Sequence, residues 1–280
     1  MVKTVQHPTV PHIAFRFGRR RPVAPPPRLS LKNYLLKSLP APPPESDYYT
    51  TSVAAPLSQM YLNDQLGDCV IAELGHTIGV MTGNANGSAG ASVFTPAQIT
   101  ALYSAIGGYV PGDAATDNGC VITSALAYWI ANGLLPDGSH KIAGYLAIDG
   151  TNKEEVETAI SVFENVDFGV ELPDAWINPA PSASGFTWGV AGESDPENGH
   201  SFLGFSYDAV GVLISTWGMV GRVTWDAVAQ YTSPSVGGEL YTVVSQDQVS
   251  KARARTPAGL NWAQLESDFQ ALGGTLAKTL

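Results

Sequence analysis

Asn63-Asp64-Gln65-Leu66-Gly67-Asp68-Cys69, running on into Val70-Ile71-Ala72-Glu73-Leu74-Gly75-His76, places a cysteine where a polar loop gives way to a helix. Val70, Leu74, Ile78 and Met81 recur at helical spacing, which predicts a helix over Cys69–Met81. A thiol at that position lies in the partial positive charge of the helix N-terminus, which favours thiolate. The plainer reading of Cys69 is a small buried hydrophobe. A nucleophilic cysteine also needs a base within hydrogen-bond reach and a donor for the oxyanion.

Downstream of this stretch the pattern is helical. Thr95 and Pro96 have the chemistry of an N-cap and first position for a helix reaching Ile106. Val121–Asn132 reads as a third helix stopped by Gly133, and the Gly/Asn/Ser segment Gly83–Ser92 reads as a loop. Thr151–Glu164 is amphipathic with acids in its first turn. Strand-like runs follow at Tyr145–Ile148, Val166–Leu172, His200–Tyr207, Val212–Thr216, Arg222–Trp225 and Leu240–Val244, the third and fourth forming a hairpin. Asn261–Leu272 reads as a closing helix. Helices dominate the first half and strands the second, so the expected class is α+β with two packed lobes.

Upstream lies a different kind of sequence. Residues 1–56 read as an extended basic, Pro-rich arm. Polyproline II is expected over Pro22–Pro27 and Pro40–Pro44, and a short amphipathic helix or strand over Leu29–Leu39. Residues 1–50 hold eight Lys or Arg against two acids, while the remaining residues hold seven against 23, within a net charge of −10. A basic arm on an acidic body is expected to dock on its own domain, on a neighbouring subunit or on a polyanion. The arm's Phe15-Arg16-Phe17-Gly18-Arg19-Arg20-Arg21 mixes aromatics with arginines, but the acidic body makes nucleic acid an unlikely partner.

Four further blocks stand in order along the chain. They are Asp117-Asn118-Gly119-Cys120, then Lys153-Glu154-Glu155-Val156 leading to Val166-Asp167-Phe168-Gly169-Val170, then Gly199-His200-Ser201-Phe202-Leu203-Gly204, and Val212-Leu213-Ile214-Ser215-Thr216-Trp217-Gly218. Together with the Cys69 loop this ordered set, over about residues 58–245, resembles the papain-like cysteine peptidases. His200 follows Cys69 by about 130 residues, the separation of nucleophile and base in such chains. The resemblance implies a two-lobe fold, a helical lobe (about 57–140) and an antiparallel β-rich lobe (about 141–250), with residues 251–280 as a C-terminal helix. It implies Cys69 as nucleophile and His200 as base. Ser215 matches the family's histidine-orienting Asn, a shorter side chain. The family's oxyanion amide matches Asn63 by position, with Gln65 as the alternative, and Val70 replaces the family's aromatic after the cysteine. Trp217 would stack over the histidine. Cys120, in the family a disulfide partner, has no such partner here and is expected to be free, and a Cys69–Cys120 disulfide would exclude the nucleophile reading. An N-terminal extension in this family is often an inhibitory propeptide in the cleft, which leaves the arm as propeptide or anchor.

Two functions stay open. One is a cysteine peptidase or amide hydrolase acting on a peptide or protein substrate. The other is a catalytically degenerate papain-like domain serving as a structural or interaction module, tethered by its arm to an assembly partner, viral assemblies included. His76, two turns after Cys69, is read as a packed helix histidine and His140 as a solvated turn residue. No cofactor is expected, since neither a metal-ligand spacing nor a phosphate loop occurs. There is no run of about 18 apolar residues and no apolar leader, so no membrane association and a cytoplasmic location, or a place in a virion or other assembly, are expected.

Overall fold

The computed structural model describes residues 2–6, 14–23, 29–135, 137–246, 248 and 259–274. Its helices are α1 (Ala54–Leu57), α2 (Cys69–Asn86), α3 (Pro96–Gly107), α4 (Ile122–Asn132), α5 (Lys153–Phe163), α6 (Trp225–Tyr231) and α7 (Trp262–Ala271). Its strands are β1 (Lys3–Gln6), β2 (Ala14–Phe17), β3 (Ile142–Ala147), β4 (Val166–Glu171), β5 (Thr187–Trp188), β6 (Gly199–Tyr207), β7 (Gly211–Thr216), β8 (Met219–Thr224) and β9 (Glu239–Ser245). β1 and β2 form an antiparallel pair, and the rest form one sheet in the order β3-β9-β4-β6-β7-β8-β5, antiparallel except for β5 against β8. This is the α+β class, helices first and sheet second.

Local chemistry accounts for the helix ends. Thr95 and Gln98 form a reciprocal capping box with Pro96 in the first turn of α3. Asn152 caps α5, whose first turn carries Glu154 and Glu155. The long helix α2 is buried along most of its length, with Glu73, His76 and Thr77 among its buried side chains. It also runs on through Gly83 to Asn86, where a loop is expected from composition. The glycine serves close packing there: a Cβ on Gly83 would lie 2.7 Å from the Ser52 carbonyl oxygen. Two other expectations change. Leu29–Leu39 makes only a 3-10 turn at Leu31–Asn33, which buries Leu31 and Tyr34 against the β lobe. Trp225 opens α6 and does not extend β8. The Pro22–Pro27 expectation falls largely on residues outside those described, as does 251–258.

Two cores result. Ile71, Leu74, Tyr103, Leu126 and Trp129 pack α2, α3 and α4 together, and Phe163, Phe168, Phe202, Trp188 and Trp217 lie in the sheet lobe. α2 packs across the sheet at β6. At this junction Glu73 of α2 and Asp167 of β4 face each other, with the Thr77 hydroxyl 2.6 Å from Glu73 Oε1 and 3.2 Å from Asp167 Oδ1. Burial first, and then the Asp167 charge, pushes the Glu73 carboxyl well above the ordinary range. The native pair therefore holds a proton that the unfolded chain releases above about pH 4.5. Stability is lost as pH rises through that window. Glu73→Gln keeps the donor without the titration, so its melting midpoint is expected to gain on the parent's between pH 5 and pH 8. Parallel pH profiles of the two proteins would refute the shared proton.

Candidate active site

Cys69 is the first residue of α2, as the loop chemistry predicts, and its side chain is almost fully buried. The Gly67 N–H donates to Asp117 Oδ1 at 2.9 Å, the Tyr103 hydroxyl donates to the same oxygen at 2.6 Å, and the Gly119 N–H donates to the Tyr103 hydroxyl at 2.8 Å. One buried carboxylate thus ties the Cys69 loop to the 117–120 loop. Neither loop is cross-linked by a disulfide, since Cys69 and Cys120 are both free and buried.

His200 lies on β6 and is buried. Its ring stacks on Trp217 with centroids 4.1 Å apart and planes 19° apart. Trp217 and Gly218 form the tight β7–β8 turn, both with positive φ (48° and 68°), and this geometry carries the indole over the imidazole. His200 Nε2 is 2.7 Å from the Thr216 hydroxyl. Ser215 is one residue away and faces the other side of the strand, donating from Oγ to the Leu57 carbonyl at 2.9 Å. The hydroxyl bonded to the His200 ring is therefore that of Thr216 and not that of Ser215. His200 Nδ1 is buried with no hydrogen-bond partner.

The two candidate amides separate cleanly. Gln65 reaches only the Asp64 carboxylate, at 3.4 Å on the surface, so it is not part of the site. Asn63 is buried, and its Nδ2 donates to the Arg16 carbonyl at 3.2 Å and to the Leu66 carbonyl at 3.1 Å.

Arg16 belongs to a segment that fills the cleft. The Arg16 N–H donates to the Asn63 carbonyl at 3.2 Å, the Cys120 N–H to the Gly18 carbonyl at 2.8 Å, the Arg20 N–H to the Cys120 carbonyl at 2.8 Å, and the Arg19 N–H to the Gly199 carbonyl at 3.0 Å. Phe17 meets the His200 ring edge-on at 5.9 Å, and Phe15 packs on Trp217 at 4.5 Å. Backbone amides of Gly18 and Ser201 are directed at the Cys69 sulfur. Residues 14–21 thus lie in contact with the thiol, the imidazole and the Asn63 amide at once. Basic side chains of the segment pair with the body: Arg16 with Asp117, Arg19 with Glu239, Arg21 with Glu171, and Lys3 of β1 with Asp195.

Burial under this segment sets the electrostatics. It pushes the Cys69 thiol up to about 12, outweighing the nearby amides, which pull the other way. The thiolate expected from the helix N-terminus is thus suppressed while the segment is seated. Burial, and secondarily the His76 charge, depresses His200 to about 3, leaving a neutral imidazole. Asp68, beside the thiol, is fully buried, and desolvation raises its carboxyl well above the usual range. His76 is a packed histidine, its Nε2 2.9 Å from the Gln59 carbonyl oxygen. Among the described residues no group of three or more His, Cys, Asp or Glu could hold a metal ion, and no helix is long and apolar enough to cross a membrane.

A helical lobe against an antiparallel sheet, with a cysteine opening the long helix and a histidine on a strand beside it, is the papain-like fold. Solved structures match it across most of the chain. Xylellain, a cysteine protease from Xylella fastidiosa, is 14% identical, with 82% of this chain and 96% of that one covered and a TM-score of 0.59. Procathepsin L2 proteinase from the larval midgut of Tenebrio molitor is 13% identical over 72% of this chain and 68% of that one, with a TM-score of 0.51. The proform of Amb a 11, a ragweed pollen cysteine protease, is 14% identical over 76% and 71%, with a TM-score of 0.50. No protein-family model and no curated protein matches the sequence.

Tyr103 lies outside every block quoted from the sequence, while Asp117 and Thr216 stand inside blocks whose resemblance assigns them no role. Asp117 stands in a loop with no ligand spacing, and Thr216 differs from Ser215 only in strand parity.

Proposed function

We propose that this chain is a cysteine peptidase or related amide hydrolase, with Cys69 as nucleophile and His200 as base, held latent by its own residues 14–21. The observation that carries the reading is the occupant of the cleft. A polypeptide backbone already lies against the thiol, its Gly18 amide directed at the sulfur and its Arg16 carbonyl accepting from Asn63. A cleft that binds backbone at those points is suited to a peptide or protein substrate.

In the opened state the chemistry runs in two halves. The Cys69 thiol gives its proton to His200 Nδ1, and the sulfur attacks the carbonyl carbon. Asn63 Nδ2 and the Cys69 N–H hold the oxyanion. His200 then protonates the leaving amine, and a water, deprotonated by the same imidazole, hydrolyses the thioester. Thr216 holds Nε2, which leaves Nδ1 to face the thiol.

The buried acid Asp68 next to the thiol and the hydroxyl of Thr216 in the orienting role favour a second reading, a domain of this fold that has lost activity and serves as a binding module. Thiol labelling separates the two. In a chain whose cleft has been emptied by Gly18→Ala, an iodoacetamide probe is expected to label Cys69 in preference to Cys120, and the rate is expected to fall about tenfold when His200→Ala is added. Labelling indifferent to His200, with no hydrolysis of a quenched peptide pool, would establish the inactive module.

A further inference from the structure

The far end of α2, 18 residues and about 27 Å along the helix from Cys69, borders a cavity of about 300 Å³ that has no part in the cleft. Ile78 and Met81 of α2, both almost fully buried, give it an apolar wall. Glu164, at the end of α5, lines the opposite side and is only 3% exposed. Its Oε2 accepts from Asn84 Nδ2 at 3.1 Å. Among the described residues that is its only side-chain hydrogen bond, and no Lys or Arg pairs with it. Glu164 also takes a left-handed backbone (φ 67°) where a helix more often ends on glycine or asparagine. His140, again at positive φ (57°), lines the same cavity and is half-buried, so it is not the solvated turn residue its sequence suggests. Two side chains are thus carried into one cavity on a backbone that favours glycine. The wall between them is pre-formed. Buried Gln248 accepts from the Ser245 N–H at 3.0 Å and donates to the Phe163 carbonyl.

We propose that this cavity binds a small organic ammonium ion, with its charge on Glu164 and its apolar body against Ile78 and Met81. The sign of the ligand follows from the walls. The Glu164 carboxylate is negative and largely withdrawn from water. The last turn of α2, at Ala85 and Asn86, brings the negative end of the helix dipole to the rim. His140 supplies no opposing cation, because burial depresses its ring, outweighing Asp137, and leaves it neutral at pH 7. Lys141 also lines the cavity, but its Nζ donates to the Ala131 carbonyl at 2.7 Å, in the last turn of α4. An anion here meets both the carboxylate and the helix end. A neutral molecule leaves the carboxylate short of a charged partner. The volume stands at the lower bound of small-molecule sites, about 300 Å³, which sets the size of the ligand. The cavity lies outside the cleft and does not depend on Cys69 being a nucleophile.

Titration of the full-length chain at pH 7 and constant ionic strength tests the site, with phenethylammonium chloride against phenethyl alcohol, which has nearly the same shape and no charge. The His140 Cε1–H resonance is expected to move saturably with the ammonium ion, with a Kd on the order of 1 mM, and to need about tenfold more of the alcohol. A resonance that stays fixed, or that responds equally to the two compounds, overturns the proposal. Glu164→Gln keeps an acceptor for Asn84 and removes the charge, so the two compounds are expected to bind it within about twofold of each other. An ammonium preference that survives in folded Glu164→Gln overturns the proposal as well. If that variant does not fold, the two titrations of the parent decide alone.

Discussion

Gly18→Ala is expected to expel residues 14–21 from the cleft and to speed alkylation of Cys69 at pH 7 by on the order of 10³-fold. The cause is steric and lies in backbone, where no rotamer offers relief. A Cβ on Gly18 would overlap the Gly67 carbonyl and lie 2.8 Å from Gly67 Cα. The facing walls are glycines for the same reason: a Cβ on Gly119 would overlap the Gly18 carbonyl, and one on Gly199 the Arg19 carbonyl. A thiol held at about 12 is ionised to roughly 1 part in 10⁵ at pH 7, whereas an ordinary solvated cysteine is ionised to a few per cent. Lower intrinsic nucleophilicity takes back about half of those decades, and access for the reagent adds at least another. Arg20→Ala is the control, because that side chain is exposed and the segment's contacts there run through backbone. Its labelling rate should stay within about threefold of the parent's. If Gly18→Ala labels as slowly as the parent and the amides of residues 14–19 stay protected from hydrogen exchange, the segment is not what masks the thiol.

How much of this site can be read from the residues depends on what kind of information places each one. Cys69 is placed at a helix start by local chemistry, whereas Asn63 is picked out only by the resemblance, and in the fold Cys69 opens α2 while Asn63 bonds the Arg16 carbonyl. Trp217 over the histidine is legible only through the resemblance, and physically it is the tight β7–β8 turn that brings the indole over β6. Thr216 is not legible, because only strand parity separates it from Ser215. Parity is set by pairing with β6, which itself carries an irregularity between Gly204 and Ser206. Gln65 lies at the surface because a loop residue can point either way, and here the Gln65 and Leu66 N–H groups both donate to the Leu62 carbonyl in a tight turn that leaves the Gln65 side chain exposed. The seat of the arm is the least legible feature. Its basic charge announces a docking partner, but only the fold gathers Asp117, Glu171, Asp195 and Glu239 from separate elements into one acidic cleft. The α+β class, by contrast, follows from periodicity summed over long segments, where single errors of a few residues, such as the true end of α2, do little harm.

Trp217→Ala is expected to destabilise the chain by about 3–5 kcal/mol and to let His200 titrate in the ordinary histidine range. The indole touches four rings: His200 at 4.1 Å, Phe15 at 4.5 Å, Phe17 at 5.8 Å and Trp188 at 6.2 Å. Truncation therefore opens a void where the sheet core, the imidazole and the arm meet, and water enters beside His200. The parent imidazole, depressed to about 3 chiefly by burial, stays neutral across the physiological range. Its sign in the stability balance follows. The unfolded chain takes up a proton below about pH 6.5 that the native state refuses until about pH 3, so the parent loses stability as pH falls through that window. Once the ring is wet, the native state accepts the proton as well, and that part of the acid sensitivity disappears from an already weaker protein. Trp217→Phe separates the ring's shielding from its size, since it keeps a stacked face on the imidazole and should retain the depressed titration with a smaller loss of stability. Two readings suffice: denaturant unfolding at pH 7, and the His200 Cε1–H resonance followed from pH 4 to pH 8. A resonance that stays flat in Trp217→Ala, with less than about 1 kcal/mol lost, would mean that the indole does not shield this histidine, and the neutral resting pair would need another cause.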